Sequence, residues 1–196
     1  MFFLLTFLAA WSAVPPTDLV EVAKIDFSIK QEIRYATPNN FMKKAVYPKA
    51  AMCALRKEAA EALVRVQNSL KLEGLGLKVW DCYRPFSVQK VMWEVMPDDR
   101  FVADPKHGSK HNRGAAVDLT LVDRSGNELE MPTLYDDFTD KAARNYQGGT
   151  KTSLKNRERL EKAMGKEGFI GIPTEWWHFD FKDWEKYPIE DVAFTH

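Results

Sequence analysis

Between Pro48 and Gly74 apolar residues recur at helical spacing: Met52, Leu55, Ala59, Ala62, Leu63, Val66 and Leu70 are separated by charged positions. This pattern predicts the longest helix of the chain. Gly76 to Tyr83 alternates like a strand and stops at Arg84-Pro85, since a residue before proline is pushed towards extended geometry. Phe86 to Met96 reads as a second helix ended by Pro97. The polar stretch from Asp98 to Asn112 reads as a loop and leads into a strand over Ala115 to Val122. One face of that strand carries Val117, Leu119 and Leu121, the other Ala116, Asp118 and Thr120. Asp123 to Asn127 has the composition of a hairpin turn.

Residues 132 to 150 are mostly loop, with a short helix expected around Lys141 to Tyr146. Ser153 is placed to cap a helix whose inner stripe is Leu154, Leu160, Ala163 and Met164, and Gly168 marks its end. Trp176 to Phe181 is too short and too aromatic for a free-standing helix and reads as a strand. Helices and strands follow one another without a regular βαβ rhythm, which argues for an α+β domain, a mainly antiparallel sheet packed by helices.

A chain of 196 residues suits one well-buried domain. Its first residues do not share the pattern. Phe2 to Ala10 is an apolar run followed by Ala10, Ser12, Ala13 and Pro15-Pro16, like the core and cleavage zone of a secretory signal without its basic start. Such a run is too short for stable membrane insertion. The expectation is a signal over residues 1–16, a folded domain over 17–196, and export, in a bacterium to the periplasm. No cysteine lies near the cleavage zone to take a lipid anchor. The 28 basic and 28 acidic side chains cancel, which removes the electrostatic footprint of a nucleic-acid binder and favours a small-molecule or peptide substrate. Cys53 and Cys82 fit one disulfide or two reduced buried thiols, and neither has zinc-knuckle spacing.

The chain has four histidines, and two of them travel with carboxylates. His111 is followed by Asp118 on the next strand, with Gly114 allowing the turn between them. His178 is preceded by Glu175, which must sit at an irregular strand start just after Pro173-Thr174 to reach the same side. His178 shares its face with Trp176 and Asp180. Singly, each histidine is most simply a loop or core residue. Asp118 inside an apolar strand and Glu175 beside two tryptophans are harder to dismiss, because a buried carboxylate is costly unless paired or coordinated. Together the four point to a hydrolytic metal site, which needs about three protein ligands and one open position. His107 and His196 match no such pattern and read as exposed, whereas Trp80, Trp93 and Trp184 read as core.

Ser109-x-His111-x-x-Gly114-x-Ala116-x-Asp118, followed by Glu175-Trp176-Trp177-His178, resembles the zinc motif of the D-alanyl-D-alanine dipeptidases. That family is grouped with the zinc D-Ala-D-Ala carboxypeptidases and is similar in core fold to the hedgehog signalling domain. The likeness continues through Arg34 to Phe41, Asp81 to Pro85 and Tyr135-Asp136. It implies a hedgehog-like zinc peptidase fold with one zinc ion on His111, Asp118 and His178. Glu175 would be the catalytic base and Arg84 the group that stabilises the oxyanion. Tyr35 and Asp136 would hold the substrate's ammonium end, and Ser109 would help to bind it. The implied reaction is hydrolysis of the free D-Ala-D-Ala dipeptide, in cell-wall turnover or in glycopeptide resistance. Two other readings are trimming of longer muropeptides by a D,D-carboxypeptidase and a non-catalytic zinc module that binds cell-wall peptides. The segment Met131 to Tyr135 departs from the Gly and Phe common in the family, which bears on the ammonium pocket.

Overall fold

A computed structural model describes residues 18–194, so the signal-like run and His196 lie outside the described residues. The described chain builds a five-stranded sheet and a separate two-stranded one. In chain order the elements are β1 (Leu19–Glu21), α1 (Val22–Ile25), β2 (Lys30–Gln31), β3 (Ala54–Arg56), α2 (Lys57–Leu72), β4 (Leu75–Asp81), α3 (Phe86–Val95), β5 (Ala116–Asp123), α4 (Lys151–Lys166), β6 (Phe169–Gly171) and β7 (His178–Phe181). The large sheet runs β2-β4-β5-β7-β6, antiparallel throughout except for the parallel β2–β4 pair.

Register assigns the two faces. Leu77 pairs with Leu121, Val79 with Leu119 and Val117 with Phe179, so these side chains share one face. They join Leu63, Val66 and Leu70 of α2 and Leu160 and Met164 of α4 in the main core, where all of them are buried. Asp118 and His178, paired directly across β5 and β7, take the opposite face. α2 and α4 therefore cover one side of the sheet, and Asp118 and His178 face the other.

The α+β reading holds, with local corrections. The long helix starts at Lys57, because Ala54–Arg56 instead pairs antiparallel with β1. Leu55 is buried by that pairing, and its match to the helical stripe is coincidental; Met52 is 40% exposed. Thr150, not Ser153, caps α4: its side chain accepts the Ser153 backbone N–H at 3.0 Å. The helix expected near Lys141 to Tyr146 is a single 3-10 turn, Asp140–Ala142, capped by Thr139. Gly168 does close α4, in a left-handed conformation with φ 88°. Cys53 and Cys82 form a disulfide that ties the residue before β3 to the residue after β4. Among the described residues no helix is long and apolar enough to cross a membrane.

Candidate metal centre and active-site cavity

The sheet register delivers the first pair of donors. His178 lies opposite Asp118 on one side of β5, and Asp81 lies opposite it on the other, across an irregularity between Val79 and Asp81. The third donor arrives on the 3-10 turn His111–Arg113, which ends in Gly114 at φ 65°. A side chain at Gly114 would run into Leu19. Ser109 Oγ accepts the His111 N–H at 3.2 Å, and Asn112 Oδ1 accepts the Ser109 N–H at 2.7 Å, which holds the turn against the strand.

These constraints bring His111 Nε2 within 3.2 Å of His178 Nδ1 and 3.4 Å of Asp118 Oδ1. His178 Nδ1 lies 3.0 Å from the same Asp118 oxygen. The three residues are buried, and their donor atoms lie within 4.8 Å of one another.

The hydrogen bonds behind the donors test whether the cluster suits a cation. His111 Nδ1 is 2.6 Å from the Cys82 carbonyl, which can only accept, so that nitrogen carries the proton and the Nε2 lone pair faces the cluster. His178 Nε2 is 2.8 Å from Asp180 Oδ1, which leaves the Nδ1 lone pair facing inward. Two neutral imidazoles and a carboxylate, each oriented from behind, form a donor set that can hold a divalent metal with a position to spare. Without a cation, charge has to be balanced by protons. Burial disfavours the His178 imidazolium, yet hydrogen bonds to Asp118 and Asp180 lift its pKa to about 10. Burial works against the Asp118 carboxylate as well, and His111 and His178 more than compensate, holding it well below the usual range.

Glu175 sits between β6 and β7, in the irregular stretch expected after Pro173-Thr174. The Trp176 N–H donates to the Ala142 carbonyl at 3.0 Å and its indole N–H to Thr133 Oγ1 at 2.9 Å, which pins the bend. Glu175 Oε2 lies 3.9 Å from His178 Nδ1. Burial pushes the Glu175 carboxyl up to about 8, with His178 opposing and Asp118 and Asp136 adding to the rise. A carboxyl near neutrality beside a metal cluster can both take and give a proton.

Arg84 is buried and fixed. Its Nε and Nη2 donate to Asp81 Oδ2 at 3.1 and 2.8 Å, and its Nη1 donates to Gln89 Oε1 at 2.8 Å. The Tyr35 hydroxyl donates to Asp136 Oδ1 at 3.1 Å, and Asp136 Oδ2 accepts the Phe41 N–H at 2.9 Å. All eight residues singled out from the sequence line one cavity of ≈ 110 Å³, together with Phe41, Phe101 and Phe138. Sites for drug-sized ligands run about 300–1,000 Å³, so this one suits a very small molecule.

Four contributors were not singled out from the sequence: Asp81, Gln89, Tyr135 and Asp180. Asp180 was within reach, because strand alternation already put it on the face of His178. Asp81 and Gln89 matter only through Arg84, and Tyr135 through its 2.9 Å hydrogen bond to Asp118 Oδ2. The Arg84 contacts are local, but they depend on how the chain bends from the end of β4 into α3, and the Tyr135 contact spans a loop whose course sequence patterning does not reveal. His107 is exposed, as expected; Trp80 is buried, while Trp93 and Trp184 are only partly so.

A buried His–Asp–His cluster with a raised carboxyl beside it, opening on a small polar cavity, defines a metallohydrolase site on an α+β scaffold. Residues 16–195 match the D-ala-D-ala dipeptidase family of M15 peptidases, and the chain belongs to that family of zinc-dependent metallopeptidases. A D-alanyl-D-alanine dipeptidase of Escherichia coli K12 is 37% identical over 173 residues, covering 88% of this chain and 89% of the relative. One from Enterococcus faecium is 28% identical over 186 residues, covering 84% and 91%. Among solved structures, the LD-carboxypeptidase LdcB shares the fold with a TM-score of 0.50 at 24% identity, covering 87% of this chain and 72% of that one.

Proposed function

We propose that this chain hydrolyses the free dipeptide D-alanyl-D-alanine to two D-alanines, with one zinc ion held by His111 Nε2, Asp118 Oδ1 and His178 Nδ1. The observation that carries the reading is the convergence of those three buried atoms beside Glu175. A zinc ion in that position supplies Lewis acidity and makes water a stronger acid. Glu175 takes the proton of the attacking water and returns it to the leaving amine, and burial, which disfavours its charged form, strengthens its hold on that proton between the two transfers. Arg84, its guanidinium clamped by Asp81 and Gln89, presents a permanent charge to the oxygen that becomes anionic. Asp136 and the Tyr35 hydroxyl receive the substrate ammonium, and Ser109 borders the pocket next to His111. The names of the E. coli and E. faecium relatives support the choice of substrate.

The cavity also favours a dipeptide over a longer muropeptide, because Tyr35, Phe41, Asp136 and Phe138 line it at the proposed ammonium end. Residues 1–16 are read as an export signal preceding a domain over 17–196, and the Cys53–Cys82 disulfide fits an oxidising compartment such as the periplasm. An exported enzyme suits cell-wall turnover. N-terminal sequencing of protein recovered from the periplasm checks the signal.

The activity is tested by incubating purified protein with D-Ala-D-Ala and with an N-acylated analogue, with and without chelator, and measuring released D-alanine. Turnover of the free dipeptide alone, abolished by chelator, is expected. Preferential turnover of the acylated substrate would indicate a carboxypeptidase, and turnover of neither by zinc-loaded protein a binding module. Glu175→Ala should keep its zinc and lose about 10²–10⁴ in turnover, whereas His178→Ala should lose the metal. Equal metal content and near-normal turnover in both variants would overturn the assignment.

A further inference from the structure

Asp118 has two oxygens, and the structure treats them differently. Oδ1 faces His111 and His178, at 3.4 and 3.0 Å. Oδ2 accepts the Tyr135 hydroxyl at 2.9 Å. The phenol ring is held by aromatic neighbours, with centroids 4.8 Å from Trp80 and 5.5 Å from Trp177. The next residue, Asp136, has a left-handed backbone at φ 60°, which turns the chain so that consecutive side chains reach different parts of one site: Tyr135 meets Asp118, and Asp136 meets Tyr35 and Phe41.

A carboxylate with both oxygens free can bind a cation through one or both of them. The second mode fills a coordination position, and hydrolysis needs one to remain open. We infer that Tyr135 is a positioning residue which commits Asp118 Oδ2 and so restricts the carboxylate to a single metal-facing oxygen. The inference rests on the metal-site reading above. It assigns to Tyr135 a task its aromatic packing alone would not require, since phenylalanine would fill the same space between Trp80 and Trp177.

The test uses the full chain loaded with cobalt(II), whose visible absorption reports coordination number, alongside steady-state kinetics of the zinc form. Tyr135→Phe keeps the ring and removes the hydroxyl. The expected result is metal stoichiometry and melting temperature close to the parent, a weakened cobalt band as coordination number rises, and a fall of about 10–100-fold in kcat with KM little changed. A cobalt spectrum that superimposes on the parent's overturns the inference, whatever happens to kcat. Tyr135→Ala serves as the packing control and should lower the melting temperature as well. His178→Ala separates the two failures: if it still binds cobalt stoichiometrically, the metal-site reading itself falls, and if it does not while Tyr135→Phe is spectrally silent, only the role of Tyr135 falls.

Discussion

Asp136 shows how one residue's surroundings set a pH dependence. It is half-buried against the cavity, and burial pushes its carboxyl up to about 7 despite hydrogen bonds from the Phe41 N–H and the Tyr35 hydroxyl. Its negative charge is therefore present above about pH 7 and lost below it. If it receives the substrate ammonium, KM for the free dipeptide should rise as pH falls through that value. Asp136→Asn should flatten this trend and raise KM by about 10–100-fold, the loss expected for a charged hydrogen bond worth about 1.5–3 kcal/mol. Steady-state kinetics from mildly acid to mildly alkaline pH would show it, and an Asn variant that keeps the parent's KM profile would remove Asp136 from substrate binding. At this scale the site was largely legible. His111, Asp118, Glu175 and His178 stand out because carboxylates in apolar sequence have few inexpensive explanations. Tyr135 does not stand out, since a tyrosine in a loop is equally at home packing on tryptophans, and only the fold brings its hydroxyl to Asp118.

Among the elements, the legible parts were those whose signal is local. α3 and β5 fall within a residue of their sequence-based bounds, because periodicity and a proline or turn close to each end define them. Periodicity alone misplaces the start of α2 because β3 exists only by pairing with β1, more than thirty residues earlier. The cap of α4 is not decided by sequence, since Thr150 and Ser153 are both hydroxyl residues near the same helix start and only the backbone selects Thr150. Sequence alone leaves open whether Cys53 and Cys82 pair or stay reduced, as the choice depends on β3 lying beside the end of β4. The bridge spans 29 residues. Closing a loop of that length in the unfolded chain corresponds to about 3–4 kcal/mol of stability. Replacing both cysteines by serine should cost that much in a denaturant titration of the metal-free protein. A change under about 1 kcal/mol would show that residual structure in the unfolded chain already limits what closing this loop can add.

For the whole molecule, net charge contributes little, because 28 basic and 28 acidic groups cancel. The pH dependence of stability is concentrated instead in the buried cluster. On folding without a cation, His178 moves from its ordinary 6.5 to about 10, so its stabilising contribution is complete below 6.5 and is lost as pH rises to about 10. Burial moves Glu175 from 4.5 to about 8, so its contribution is likewise lost as pH rises through that window. Asp118 is shifted the opposite way, and its contribution is lost only as pH falls below 3.8. The metal-free fold should therefore weaken steadily from mildly acid to alkaline pH. Cation binding should follow the opposite trend, because it must displace the His178 proton. With one proton released, zinc affinity should rise about tenfold per pH unit at any pH below the His178 value. Chelator competition at several pH values reads that slope, and melting curves with and without zinc should draw apart as pH increases, since ligand-linked stabilisation grows with the ratio of free metal to Kd. A zinc affinity independent of pH between about 6 and 9 would mean that no proton leaves on binding. His178 would then already be neutral across that range in the metal-free protein, and metal loss in His178→Ala would remain the check on its Nδ1 as a ligand.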